Sequence, residues 1–345
     1  MTDYTRTFES IRLSDREIVG GKCASIGELI QAGARVPAGN AVTTAAFEEF
    51  LRATELSAFI KEALQDEDVE RASLRIAAAV ASGRMPTVVS EAIHEAYESL
   101  GSSSTPVAVR SSAVAEDSDR VSFAGLQETY VWVRGQDDVI QAVRRIWASV
   151  YSPAAIVYRR RMAIPIADAR IAVGIQKMVD ARVAGVLFTL SPRTGDRSAM
   201  AINASWGLGT TVVGGEVTPD EYWVDKVTGE LRSSVISDKA VRAIPGRTGA
   251  GTLTEPVPDD LRRRRCLQDE EIAELARLGK HLEAHYGHAL DIEWALAVDE
   301  EVPDSLYVLQ ARPETVWSNK PPAPVMSQQS DPIAYVMRTF LPPGE

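Results

Sequence analysis

The sequence is poor in cysteine: Cys23 and Cys266 are the two present, far apart and outside any CxxC pair. That excludes a disulfide framework and a cysteine-built zinc site, and fits a reducing compartment. No stretch approaches the ~20 apolar residues that a bilayer-spanning helix needs, and the polar, acid-bearing start MTDYTRTFES does not read as a secretory leader. Positive charge is also short: 37 Lys and Arg stand against 48 Asp and Glu, a net charge of −11. No general cationic field therefore exists to draw a nucleic-acid backbone. These features predict a soluble, cytoplasmic chain with no nucleic-acid and no membrane partner. The eight-residue Walker spacing is missing, which rejects a P-loop nucleotidase. His281 and His285 have i, i+4 spacing, but Leu-Glu-Ala lies between them rather than the Glu-first metalloprotease order, and no internal repeat is visible. What is there is ordinary globular material, 45% apolar and 25% charged with 23 Gly and 18 Pro, in a length that allows two or three units or one large pair of lobes.

Along the chain, Gly20-Gly21-Lys22 precedes Ala24, Ile26, Leu29 and Ile30, helical spacing opened by a turn that sets a lysine at a helix start. Residues 44–64 and 67–100 read as scaffold helices, broken at Pro86. Val107 to Arg110 is a short buried strand, followed by an acidic, Ser-rich loop from Ser111 to Ser122. A helix is expected over Asp137–Ser149, then strands over Ile171–Val179 and Ala184–Leu190. A hairpin-like turn at 192–195 leads to a strand over Ala199–Ala204. The Gly-rich stretch Trp206–Gly215 leads to a strand over Glu221–Lys226, and Pro245–Pro258 reads as a linker. An amphipathic helix over Asp269–Tyr286 and strands over Leu290–Val298 and Ser305–Arg312 close the pattern. Helices first and strands after suggest a mixed α/β or α+β chain with two lobes.

Four separated elements carry chemistry. Glycines let a backbone approach phosphate while the Lys22 ammonium meets its charge, although a surface turn also suits this tripeptide. Arg110 ends an apolar strand, where its fork can grip phosphate oxygens or pair with Glu116 or Asp117. Asp291 and Glu293 alternate with apolar residues, so both carboxylates share one strand face, as Gln310 and Arg312 do on the last strand. Carboxylate and amide oxygens are hard-cation ligands; the plainer reading is acids paired with Arg312. Together with the glycines at 207, 209, 214 and 215, this is the equipment of an Mg·nucleotide site. The run Arg262–Arg265 suits a solvated loop, and Cys23 suits packing behind the turn.

GGKCASIGELIQAGARVPAGNAVTTAAFEEFL, VAVRSSAVAEDSDRVSFAGLQETYVWVRG, GVLFTLSPRTG, SWGLGTTVVGGEVTPDEYWVDK, HYGHALDIEWA and LQARPET together resemble the nucleotide-binding domain of the pyruvate phosphate dikinase and phosphoenolpyruvate synthase family. The likeness spans roughly residues 14 to 316, in family order. It implies an α+β, ATP-grasp-type two-lobed fold over 1–318, with lobes about 1–195 and 196–318 and a Pro-rich tail over 319–345. It implies ATP and Mg²⁺. Lys22 and Arg110 would bind phosphate, with Phe123, Ala124, Gly125 and Thr129 in the loop covering the phosphates. Gln176 and Met178 would lie by the adenine. Asp291, Glu293 and Gln310 would surround the metal, which Glu293 and Gln310 ligate, and Arg312 would be the catalytic arginine. Cys23 and Thr210 depart from the family pattern, which usually has glycine and glutamate there. No Thr/Gly-rich histidine motif of a swivelling phosphocarrier domain is present. The resemblance therefore implies a catalytic subunit that cleaves ATP to AMP and phosphate. A histidine on a partner subunit would carry the phosphoryl group to an alcohol, preferably a phenol or cresol, as in the split phenylphosphate synthases. The rivals are a rifampin phosphotransferase or phosphoenolpyruvate synthase, as a fragment or split form, and a non-catalytic ATP-sensing module.

Overall fold

A computed structural model describes residues 3–114, 128–162, 169–246, 251–298 and 300–317. Five strands, β1 (Thr5–Thr7), β2 (Gly39–Val42), β3 (Val107–Ala113), β4 (Thr129–Val133) and β5 (Ile171–Lys177), form a first sheet in the order β1-β2-β5-β3-β4. Six more form a second sheet in the order β13-β12-β6-β7-β8-β9: β6 (Ala181–Phe188), β7 (Ala199–Trp206), β8 (Asp220–Asp225), β9 (Leu231–Val235), β12 (Leu290–Ala297) and β13 (Leu306–Pro313). Between β9 and β12 in the chain, β10 (Val241–Pro245) and β11 (Thr252–Pro256) pair with each other, antiparallel, and Ala243 of β10 also bridges Gly207 and Leu208. The pairings within the two sheets are antiparallel, and the helices lie in separate chain segments, so the α+β reading holds.

The first sheet has two different faces because its side chains alternate. Val107, Val109, Val173 and Ile175 point into a core shared with α2 (Thr44–Ala53), α3 (Leu56–Ala63), α4 (Val69–Ser82), α5 (Thr87–Glu98) and α6 (Gln136–Ser149). At its centre Trp147 meets Phe47 and Phe50 at ring distances of 5.4 and 5.1 Å, contacts worth about 1 kcal/mol each beyond burial. The opposite face carries Arg110 and Gln176 and receives helix α1 (Arg16–Gln31). After α7 (Pro153–Arg161), α8 (Thr210–Val213) and α9 (Asp259–Arg262), the long α10 (Asp269–Tyr286) covers one face of the second sheet, where Leu187, Ile202, Tyr222, Ile292 and Trp294 are buried.

Helix α1 joins the two halves. Its Cys23, Ala24 and Ile26 pack with Ala41 on the first sheet and with Phe8 just after β1, while Leu29 enters the core of the second and Ser25 Oγ donates to the Ala311 carbonyl of β13.

Four expectations are corrected. The strand ending at Arg110 runs on to Ala113, because β5 pairs with it as far as Ile171. The supposed linker 245–258 contains β11, which satisfies its backbone by pairing with β10. The division near 195 falls too late: β6 is already hydrogen-bonded into the second sheet, so the chain crosses between Lys177 and Ala181. Thr210, read within a loop, begins the short α8. Strands β1, β2, β4, β9 and β10 were not anticipated. The tail 319–345 lies outside the described residues.

Candidate functional site

The Gly-Gly-Lys tripeptide is a buried kink rather than an open turn. Gly20 sits at φ 73° inside α1, and a Cβ there would lie 2.0 Å from the Ser112 carbonyl oxygen. Only glycine permits both the left-handed angle and this approach. Ser112 fills the kink: its hydroxyl donates to the Val19 carbonyl at 2.8 Å and accepts from the Cys23 amide at 3.1 Å. The helix restarts just beyond, so Lys22 emerges from its first turn toward β3, 5% exposed, with its ammonium donating to the Ser111 carbonyl at 3.1 Å.

Arg110 reaches from β3 across to the second sheet. One guanidinium nitrogen, Nη2, donates to Gln310 Oε1 at 2.7 Å and to Glu293 Oε2 at 3.4 Å, while Nη1 donates to the Leu309 carbonyl at 3.3 Å. Glu293 and Gln310 are directly opposed on β12 and β13, as Asp291 and Arg312 are two pairs further on. Both pairs share the face turned away from α10. A register shift between Glu293 and Trp294 accompanies Leu309 as an extra residue on β13, which separates this polar end from the apolar remainder of the strands.

Lys22, Arg110, Gln176 and Gln310 line one cavity of about 10 Å³, room for a single water. Several buried polar atoms around it have no hydrogen-bond partner among the described residues: Arg110 Nε, Gln176 Nε2, Asp291 Oδ1 and Arg312 Nε. Left unmade, such bonds cost stability, so the cluster is short of acceptors for its N–H groups and of a cation for Asp291. Burial, with the nearby Glu314 carboxylate, pushes the Asp291 carboxyl up to about 6 against the pull of Arg312.

Of the residues singled out by sequence, Lys22, Arg110, Gln176, Glu293 and Gln310 therefore converge, with Asp291 and Arg312 adjoining. Thr129 is exposed and lies opposite Arg110 on β4. Met178 is set apart, in an apolar cluster between the sheets with Trp132, Ala181, Ala184, Leu208, Ala243, Ala295 and Leu309. Phe123, Ala124 and Gly125 lie outside the described residues, as do Glu116 and Asp117. The histidines have other occupations: His281 bonds the Ala32 carbonyl and His285 meets Glu28 at 2.6 Å. Among the described residues no three His, Cys, Asp or Glu side chains cluster as a metal site, and no helix is long and apolar enough to cross a membrane. In the arginine run, Arg262 and Arg263 pair with Asp238, and Arg265 with Asp269.

A family model described as the pyruvate phosphate dikinase AMP/ATP-binding domain matches residues 16–332. The chain belongs to this family. It is 42% identical over 325 residues to a probable phosphoenolpyruvate synthase of Methanothermobacter thermautotrophicus, covering 91% of this chain and 46% of that protein. A phosphoenolpyruvate synthase of Deinococcus radiodurans is 40% identical, over 92% of this chain and 42% of its own length. That of Aeropyrum pernix is 39% identical, over 88% and 41%. The chain thus spans less than half the length of these curated relatives. The family is one of ATP-dependent phosphotransferases of the dikinase type, with ATP and Mg²⁺ as its cofactors. The residues present fit both: two side-chain oxygens, from Glu293 and Gln310, already converge on one cationic nitrogen, and unfilled N–H donors stand beside them. Magnesium commonly takes only one or two protein carboxylates plus phosphate oxygens, so Glu293 with Gln310 suffices for it.

Proposed function

We propose that this chain is the ATP-binding catalytic part of a dikinase-type phosphotransferase with an ATP-grasp-type arrangement, its nucleotide held between the two sheets. The observation that carries the reading is the convergence of Lys22 and Arg110 from one half with Glu293 and Gln310 from the other. Cations from one side and hard oxygen ligands from the other suit a metal-bound triphosphate.

Lys22 and Arg110 would bind phosphate oxygens, Arg110 exchanging its present partners for them. Arg312 would stabilise charge that develops during transfer. Glu293 and Gln310 would hold Mg²⁺, which would supply positive charge to screen the phosphates. Asp291 beside them would remain largely unprotonated at neutral pH once a cation faces it. The 10 Å³ cavity is far smaller than a triphosphate, so the Arg110–Gln310 and Arg110–Glu293 contacts must part for ATP to enter.

ATP would be cleaved to AMP, with the β-phosphate passing through a histidine on a partner polypeptide to an alcohol and the γ-phosphate transferred to water and released as inorganic phosphate. The preferred acceptor is a phenol or cresol. A second reading, favoured by the 42% identity to a probable phosphoenolpyruvate synthase, makes the chain the nucleotide-binding part of such a synthase, with pyruvate as acceptor. The deciding experiment mixes purified chain, ATP, Mg²⁺, a histidine-bearing partner and a panel of phenols and pyruvate, then assays AMP, phosphate and phosphorylated product. AMP formed only with both proteins supports the division of labour. ADP formed by this chain alone overturns it.

A further inference from the structure

The kink in α1 interrupts one rung of the helix's own ladder. In an unbroken helix the Cys23 amide would donate to the Val19 carbonyl, four residues back. Gly20, at φ 73° and ψ 171°, takes those two groups out of helical register. The Ser112 hydroxyl stands in the break, donating to the Val19 carbonyl at 2.8 Å and accepting from the Cys23 amide at 3.1 Å. One side chain from another element thus serves both ends of a single lost helical bond, an insertion of the kind that holds sharp kinks. Val19, Cys23 and Ser112 are all buried, so water offers neither backbone group an alternative partner.

This splice lies on the part of β3 that carries the cations. Arg110 and Ser112 share one face of the strand, and the carbonyl of Ser111 between them accepts from the Lys22 ammonium. Three consecutive residues of β3 therefore bear one cation, anchor a second, and seat the helix from which that second one springs. Lys22 directly precedes Cys23, so the bond that fixes the Cys23 amide also fixes the backbone from which the lysine side chain departs. Without the hydroxyl, α1 would keep its packing through Cys23, Ala24 and Ile26, but the backbone at Lys22 would lose this tie to the strand that carries Arg110.

We propose that Ser112 is a positioning residue for triphosphate binding: it holds the first turn of the restarted helix against β3, so that the Lys22 ammonium and the Arg110 guanidinium are presented together. This rests on the reading of Lys22 and Arg110 as phosphate ligands. It goes beyond that reading by assigning their alignment to a side chain whose hydroxyl is already committed to α1. Small misplacements of a binding group are costly. Because the role acts through Lys22, its signature is non-additivity with that residue, whereas a side chain that only stabilises the fold contributes independently.

The test is a double-mutant cycle on the full chain, Ser112→Ala with Lys22→Met, titrated with magnesium tripolyphosphate. Ser112→Ala should weaken binding about fivefold or more in the wild-type background, and by less than about twofold once Lys22 is replaced. A similar loss in both backgrounds, or none in the first, overturns the proposal: Ser112 is then purely structural. Lysine labelling gives a measurement that needs no ligand. With an amine-acylating reagent and peptide mass analysis, Lys22 should react about threefold faster or more in Ser112→Ala than in wild type, while the fully buried Lys239 is unchanged. An unchanged rate at Lys22, or equal gains at both lysines, defeats the assignment. Should Ser112→Ala not fold, Ser112→Cys, close in shape with weaker bonds, replaces it in both measurements. Full tripolyphosphate affinity in Lys22→Met fails earlier, at the reading of the phosphate site, and takes the proposal with it; a weakened Lys22→Met beside an unaffected Ser112→Ala removes the proposal alone.

Discussion

Arg110 and Gln310 meet side chain to side chain at 2.7 Å although 200 residues separate them. One stands on β3 of the first sheet and the other on β13 of the second, so this bond spans the gap that a nucleotide would enter. Arg110 also engages Glu293 and the Leu309 carbonyl, and the guanidinium thereby occupies the convergence point of two potential metal ligands.

Arg110→Ala is expected to weaken Mg·ATP binding by about thirtyfold or more, since charge-assisted bonds to phosphate are among the strongest available. Arg110→Lys should not restore it, because a single ammonium cannot serve the separate acceptors that the planar fork reaches. Calorimetric titration measures both, and a lysine variant with wild-type affinity would refute the bidentate role.

Arg312 should separate binding from chemistry. Arg312→Ala is expected to abolish phosphorylation of the partner while ATP affinity changes by no more than a few-fold, as for an interaction made mainly in the transition state. Transfer from labelled ATP to the partner, beside a binding titration, gives the two numbers. Normal transfer by the variant ends this assignment.

Asp291 carries a pH signature. Its folded pKa of about 6 lies above the ordinary 3.8, so the folded state holds the proton more tightly than the unfolded chain. The resulting contribution is complete below about pH 4 and is lost as pH rises through 6. The difference of about two units corresponds to about 3 kcal/mol. In metal-free buffer, Asp291→Asn should therefore gain stability relative to wild type between pH 4.5 and 7.5, read from urea midpoints. Parallel profiles for the two proteins would contradict the burial argument.

Gly20→Ala adds a Cβ 2.0 Å from the Ser112 carbonyl oxygen at a φ of +73°. Strain and overpacking together should cost about 3 kcal/mol or more. Gly215→Ala is the comparison: it too has positive φ, but a Cβ there meets nothing within 4 Å. A thermal melt of the Gly20 variant no lower than that of the Gly215 variant would show that α1 does not need its kink.

Lys239 and Asp220 form a fully buried pair at 2.5 Å, with Asp220 also accepting from the Ser237 and Cys266 amides and the Tyr222 hydroxyl. Lys239→Met leaves that carboxylate uncompensated and should cost about 3–5 kcal/mol. Adding Asp220→Asn should recover part of the loss. Denaturant unfolding of the two single variants and the double variant checks this, and additive losses would rule out direct coupling.

Much of this protein was written in local pattern. Apolar spacing alone marked α6 and α10, the alternation at 290–297 placed Asp291 and Glu293 on one face, and the turn residues at 192–195 joined β6 to β7, because these features depend on neighbours a few positions away. Nothing local marked β2, whose central pairing is supplied by β5, far along the chain. The sequence named the charged residues and the faces they share. Tertiary structure alone decided that Lys22 and Arg110 meet Gln310, and that Gly20 is a packed kink filled by Ser112. Those outcomes depend on where two separate sheets are brought by the helix packed between them, and such a position is a sum over the whole chain.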